Sequence, residues 1–223
     1  MALTTINNSY KRVGPGQLYL AAAPITDPGA ATVASTTDGY YALFFGLGKA
    51  AKKTLSAGIL PWGNLTSSGI SLKIKPSTVD FDPNNGPKRT IVTGFEEASV
   101  EFEFFDLNPA HLVDMFGSQA SDLIAVAAGS GIAGRKIAVV GPSANNASFT
   151  VLYRMPDPVL AGEFWHILIP CANIIGELDL KMSKKDALQG KITMSLDGSP
   201  FMNNAQGFPV VAIVDSPDAA ATA

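Results

Sequence analysis

One stretch of the chain, residues 94–117 with the sequence GFEEASVEFEFFDLNPAHLVDMFG, constrains the fold most. Its first half alternates between apolar and polar residues, whose side chains point to opposite faces of a β-strand. The apolar face carries Ala98, Val100, Phe102 and Phe104, and the other face carries Glu97, Ser99, Glu101 and Glu103. The pattern predicts a strand over residues 97–105 that is buried on one face only.

The second half of this stretch changes from strand to helix periodicity. Asn108 can cap the free amides of a helix start, and Pro109 suits the first helical position. Leu112, Val113 and Phe116 then recur at helical spacing, and Gly117 suits the left-handed exit. The sequence therefore predicts a short helix over about residues 108–116.

The composition favours strands and turns elsewhere. Apolar residues make up 47% of the 223 residues and charged residues only 16%, with 21 glycines and 15 prolines. A chain of this length can bury a substantial core and is most simply one domain. We expect a mainly β domain with one clear helix over residues 1–214 and a flexible tail over 215–223.

Alternation and apolar runs place the further strands. They are predicted over residues 17–23, 70–75, 89–93, 123–128, 136–140, 148–154, 164–169, 174–182, 191–196 and 209–214. The loop DPNNGPK, formed by Asp82, Pro83, Asn84, Asn85, Gly86, Pro87 and Lys88, is dense in turn formers and predicts the tip of an antiparallel hairpin. Residues 24–69 are predicted to be irregular and loop-rich, with 40–47 compatible with either helix or strand.

No pattern in the sequence predicts an enzyme. Residues 129–134 match G-x-G-x-x-G, but the following RKIAVV reads as a strand, so a hairpin turn is favoured over a dinucleotide site. The two histidines, His111 and His166, and the lone Cys171 do not cluster as metal ligands or nucleophiles would. Only Glu101 and Glu103 could act as paired carboxylates, and they would need a cleft. We expect no catalysis, cofactor or metal.

Charge and hydropathy exclude further classes of protein. The net charge of −3 gives no basic field for specific nucleic-acid binding. The first residues, MALTTINNSYKRV, lack the apolar run of a secretory signal, and no window is apolar enough to span a membrane. We expect a protein that is made inside a cell and does not enter a membrane.

Several segments together resemble the major tail proteins, or tail tube proteins, of long-tailed bacteriophages. The resemblance rests on GQLYLAAAP, on SGISLKIKP followed by VDFDPNNGPKRTIVTG, on EEASVEFEFFDLNPAHLVDMFG, and on IIGELDLKMSKKDALQGKITMSL. These are patterns of element order and alternation that cover most of the chain. Residues 25–62 depart from the family pattern.

The resemblance implies a compact antiparallel β-sandwich or β-barrel subunit with a flanking helix. Such subunits form rings, expected to be hexameric, that stack into a tube through which the viral DNA is ejected. The partners would be other copies of the chain, the tape measure, terminator and baseplate proteins of the tail, and DNA in transit. The protein would be synthesised in the host cytoplasm and reside in the virion tail.

The same resemblance assigns roles to two groups of residues. The loop 82–88 would reach a neighbouring subunit or ring. Glu97, Glu101 and Glu103 would face the lumen, where acidic groups repel DNA phosphates, although they could also simply face solvent. Two alternatives stay open: another phage structural protein, such as a terminator, baseplate or head decoration protein, and a β-rich hydrolase or carbohydrate-binding module that uses Glu101 and Glu103.

Overall fold

The structure is a computed structural model, and it describes residues 16–28, 36–46, 54–56, 63–82, 88–105, 123–129, 133–138, 148–157, 159–174, 179–181 and 189–217. In chain order its elements are β1 (Gln17–Ala22), α1 (Thr36–Phe45), β2 (Gly63–Phe81), β3 (Arg89–Phe105), β4 (Leu123–Val126), β5 (Arg135–Ala138), β6 (Ser148–Pro156), β7 (Phe164–Ile174), β8 (Asp179–Lys181), β9 (Gln189–Leu196) and β10 (Ile213–Asp215).

An eight-stranded antiparallel sheet forms the main part of the fold. Its strands follow the order β10-β7-β6-β1-β2-β3-β9-β8, and β4 pairs with β5 in a separate two-stranded sheet. Strand β7 pairs with β9 as well, through Ala172 to Ile174, so the sheet curves around one core. The prediction of a mainly β, antiparallel fold is confirmed.

The two-faced strand predicted over 97–105 is confirmed as part of β3. Val100, Phe102 and Phe104 are at most 1% exposed and lie in a core that β1, β2, β6, β7 and β9 also line. The short helix predicted over 108–116 lies outside the described residues, as does most of the tail 215–223.

The segment 24–69 is not irregular throughout, which corrects the prediction. Residues Thr36–Phe45 form α1, and β2 already begins at Gly63. The helix ends where Gly46 adopts a φ of 71° and donates its amide to the Ala42 carbonyl at 2.8 Å. Its aromatic side chains recur at helical spacing and are buried against the sheet, which settles the choice between helix and strand. These side chains are Tyr40, Tyr41, Phe44 and Phe45.

Helix α1 covers the sheet face opposite the main core. Its aromatic side chains form a second cluster with Tyr19 of β1, Leu152 of β6 and Leu168 of β7. The sheet region made of β1, β6 and β7 is therefore buried on both faces.

The long hairpin is more continuous than its sequence indicates. Residues Arg89–Phe105 form one strand in spite of Gly94, and β2 passes through Pro76. Register shifts between Lys75 and Pro76 and between Ser77 and Thr78 absorb the irregularity. A bulge accommodates a residue without an amide hydrogen, so Pro76 does not end the strand.

The late strands also differ from their predicted bounds. Strand β7 runs to Ile174, which pairs with Met194 of β9 and so does not begin the next strand. The predicted strand 174–182 is represented among the described residues by β8, which pairs with β9. Hairpin β4–β5 flanks the glycine-rich segment 129–134 with antiparallel strands, and no helix begins at Arg135 as a dinucleotide fold would need.

Candidate interaction surfaces

The glutamates predicted to form an acidic surface lie on the face of β3 that points away from the core. Glu97 is exposed, whereas Glu101 and Glu103 are half-buried. Neighbouring strands add lysines to this face, because Lys75 of β2 is in register with Glu97 and Lys191 of β9 is in register with Glu103. Sequence reasoning missed this mixture of charges.

Two ion pairs connect these charges. Lys191 Nζ lies 3.0 Å from Glu101 Oε1, on a diagonal across the strands. Lys75 Nζ lies 2.7 Å from Glu96 Oε2, at the position where the register shift adds a residue to β3. Pairs as exposed as these contribute roughly 0–1 kcal/mol each to stability. Their main effect is electrostatic, because the lysines offset the negative charge of the glutamates and the face is not simply acidic.

This geometry gives little support to paired-carboxylate chemistry. Glu101 and Glu103 are two positions apart on one strand, and Glu101 is bound to Lys191. Glycoside hydrolysis needs two carboxyl groups that approach a substrate from opposite sides of the scissile bond. Two carboxylates on the same open sheet face do not provide that arrangement.

The far part of the β2–β3 hairpin is the other surface of interest. We call its paired segments, 76–81 and 89–95, the ribbon. Within the described parts of the chain, these segments pair only with each other. Every residue of the ribbon is exposed except Ser77 and Gly94, which are half-buried.

The ribbon exposes large apolar side chains. Val79 and Ile91 are in register and are 54% and 53% exposed, so they form one apolar pair in solvent. Phe81 is 56% exposed beside them. Val92 and Phe95 are exposed as well. These exposed apolar side chains make the ribbon a candidate interaction surface.

The loop predicted to make intersubunit contact lies at the end of the ribbon. The final register pair is Phe81 with Arg89, which confirms the hairpin. Asp82 and Lys88 are exposed, and Pro83, Asn84, Asn85, Gly86 and Pro87 lie outside the described residues. Asp80 holds the two strands together here, because it accepts a hydrogen bond from Thr90 Oγ1 at 2.8 Å and pairs with Lys88 Nζ at 3.2 Å.

The histidines and the cysteine considered as possible catalytic or metal-binding residues do not form a site in the described structure. His166 is 3% exposed and lies among aromatic rings, whereas His111 lies outside the described residues. Cys171 is a free, half-buried cysteine, and burial raises the pKa of its thiol. The described residues contain no group of histidine, cysteine and carboxylate side chains that could hold a metal ion. Among them, no helix is long and apolar enough to cross a membrane.

Comparisons with known proteins give only distant likenesses. The sequence matches no protein-family model and no curated protein. Among solved structures, it resembles the PVC sheath–tube complex of an extracellular contractile injection system in its extended state, with a TM-score of 0.42, 8% identity, and coverage of 97% of this chain and 100% of that one.

Two further structures belong to similar assemblies. The tube-terminating cap of the anti-feeding prophage has a TM-score of 0.40 and 12% identity, with 74% of this chain and 86% of that chain covered. The PVC sheath/tube terminator in the extended state has a TM-score of 0.40 and 9% identity, with 90% and 94% covered. TM-scores below 0.5 do not establish a common fold.

Proposed function

We propose that this chain is a non-enzymatic structural subunit of a phage tail, and that its copies assemble into stacked rings, hexameric in the tube family that its sequence resembles. The rings would form the tail tube through which DNA is ejected. The observation that carries the proposal is the ribbon, which exposes apolar side chains on a part of the hairpin that the described chain leaves uncovered. The resemblance of its sequence to tail tube proteins supports the same assignment.

The ribbon is poorly suited to a protein that acts alone. An isolated two-stranded ribbon is marginally stable in water, and its free strand edges can pair with other chains. Burial of the Val79–Ile91 pair and of Phe81 against a neighbouring copy would stabilise the ribbon by the hydrophobic effect. The loop 82–88, at the end of the ribbon, would then contact a neighbouring subunit or ring.

The outer face of β3 would line the lumen in this assembly. Glu97, Glu101 and Glu103 would still face the DNA, but with Lys75 and Lys191 beside them. Proteins bind DNA strongly when unpaired lysines and arginines displace its counterions. A face on which Lys75 and Lys191 are already paired with glutamates offers DNA little attraction, so DNA in transit would not adhere to it.

The remaining partners follow from the same proposal. A tube subunit would contact tape measure, terminator and baseplate proteins, would reside in the virion tail after synthesis in the host cytoplasm, and would need neither cofactor nor membrane. A terminator, baseplate or head decoration protein is the second candidate, because an exposed ribbon would serve a single closed ring equally well. A hydrolase or carbohydrate-binding module is the least supported, since Glu101 is paired with Lys191.

Negative-stain electron microscopy of the concentrated protein tests the assignment. We expect stacked rings or tubes from the unmodified chain, and loss of stacking or of rings when Phe81 and Ile91 are both replaced by serine. Val214→Ser is the matched control, because Val214 is 62% exposed on β10, away from the ribbon. Single closed rings without stacking would favour a terminator. Monomers under all conditions, or normal tubes from the double variant, would contradict the proposal.

A further inference from the structure

A row of polar side chains crosses four strands beneath α1. Gln17 of β1 is in register with Arg154 of β6, which is in register with His166 of β7, which in turn is in register with Asp215 of β10. We call these four residues the polar row. Arg154 is 7% exposed and His166 is 3% exposed. The proposed function assigns no role to these groups.

Helix α1 covers the part of the polar row formed by His166 and Asp215. The rings of Tyr41 and Phe45 lie 6.1 Å and 5.7 Å from the His166 ring, centroid to centroid, and both approach it nearly edge-on. Tyr41 Oη also donates a hydrogen bond to Asp215 Oδ2 at 3.2 Å. Docking of α1 therefore brings two aromatic rings against His166 and shields it from water.

The positively charged side chain of Arg154 is buried beside His166. The Arg154 guanidinium lies 3.5 Å from the centroid of the Phe164 ring and 5.8 Å from that of Phe45. Burial lowers the pKa of Arg154, but the guanidinium stays charged at any ordinary pH. The Phe164 ring also lies 6.5 Å from the His166 ring, so arginine and histidine share one aromatic enclosure.

The other titratable groups around His166 determine whether a positive charge on its ring would be neutralised. Asp215 faces it from β10 and accepts the Tyr41 hydrogen bond, while Asp38 lies in the first turn of α1. Tyr41 stays neutral, because burial and the Asp215 carboxylate raise its pKa, and burial likewise raises that of Tyr19 beside Arg154. In the strand register, Asp215 is thus a negatively charged neighbour of His166 and Arg154 a positively charged one.

We propose that docking of α1 onto the sheet depends on pH through His166, and that uptake of a proton by His166 loosens the helix. A buried imidazolium loses its hydration and stands beside the Arg154 guanidinium, whereas an imidazole exposed by the departure of α1 is hydrated. An exposed histidine takes up its proton near pH 6.5. The loosened state therefore binds more protons than the docked state, so docking weakens as the pH falls below about 6.5.

Hydrogen–deuterium exchange of residues 36–45 tests this proposal at a series of pH values, after correction for the intrinsic pH dependence of exchange. In the unmodified chain we expect α1 to lose about tenfold in protection between pH 7.5 and pH 5.5, while β3 and β9 keep theirs. His166→Gln keeps a polar side chain without a titratable ring and should make α1 protection independent of pH over this range. His111→Gln is the matched control and should behave as the unmodified chain.

Two results would overturn the proposal. One is α1 protection that falls with pH to the same extent in His166→Gln and in the unmodified chain, or α1 protection that does not change with pH in either protein. The other comes from NMR titration of the unmodified chain, with the His166 signal identified by comparison with His111→Gln. If His166 takes up its proton while α1 stays protected, Asp215 neutralises the charge and docking does not depend on it. This titration decides the question even if His166→Gln does not fold.

Discussion

Two parts of the same sheet differ in how they are covered. Strands β1, β6 and β7 are buried by the main core on one face and by α1 on the other. The ribbon at the far end of β2 and β3 is exposed on both faces. Both parts contain large aromatic and aliphatic side chains, so hydrophobicity does not explain the difference. The first part completes its own packing, whereas the second leaves apolar surface uncovered by the described residues.

The largest contrast is expected from truncation of one aromatic residue in each part. Phe44 of α1 is 0% exposed, and Phe44→Ala should lower the free energy of unfolding by about 3–5 kcal/mol through lost burial and a cavity. Phe81→Ala in the ribbon should change that of the unassembled chain by less than about 0.5 kcal/mol. Urea denaturation below the assembling concentration measures both. Equal losses would mean that the ribbon is packed within the monomer.

A smaller contrast is expected at two glycines of left-handed conformation. Gly46 follows α1 with a φ of 71°, and a Cβ there would lie 2.8 Å from Ser56 Oγ. Gly69 in β2 has a φ of 68° with nothing within 4 Å of that position. Gly69→Ala and Gly46→Ala should each cost about 1 kcal/mol through backbone strain, with only a small addition at Gly46, where the Ser56 hydroxyl can rotate away. Thermal unfolding of the two variants would show whether the covered part is the less tolerant one.

The ion pair on the outer face of β3 should contribute little to folding. Glu101→Gln removes one partner of Lys191 and should lower the free energy of unfolding by less than about 1 kcal/mol, with a smaller effect at high salt. Glu97→Gln is the control on the same face. A loss of several kcal/mol at Glu101 would indicate that this face is more deeply buried than its exposure suggests.

The smallest effect on stability is expected at low pH, from protonation of Asp157 in the turn between β6 and β7. The amides of Leu160 and Val159 and the Trp165 indole donate to Asp157, and the Leu160 amide, first among these causes, holds the pKa of this carboxyl below its usual value. Asp157 therefore stabilises the fold above about pH 4, and this contribution is lost as the pH falls through the lowered pKa. Asp157→Asn should flatten the stability profile slightly below pH 4 in denaturant titrations. An unchanged profile would contradict this.

The sequence predicted best those features that depend on one strand at a time. Alternation in residues 97–105 identified Val100, Phe102 and Phe104 as core residues before any neighbour was known. The hairpin loop 82–88 identified β2 as one neighbour of β3, but alternation could not identify the other neighbour, β9, which lies far after β3 in the chain. The lysines that balance the glutamates come from those two strands, so the acidic surface was an incomplete prediction.

Helix α1 escaped prediction for a different reason. Its sequence TTDGYYALFF begins with residues that are poor helix formers and ends with aromatics that also suit strands. The helix is favoured by tertiary packing, since its aromatic side chains are buried against β1, β6 and β7. Apolar exposure on the ribbon was equally unpredictable, because alternation shows which residues share a face and not whether anything covers it.

Hydrogen exchange of the β2 and β3 amides, compared between dilute and assembled protein, tests most directly whether other copies of the chain cover the ribbon. We predict that residues 76–81 and 89–95 gain strong protection on assembly, while α1 and β6, which are already covered, gain almost none. Ribbon amides that exchange equally fast in dilute protein and in assembled particles would contradict the account. They would show that the exposed apolar pairs are not where the copies meet.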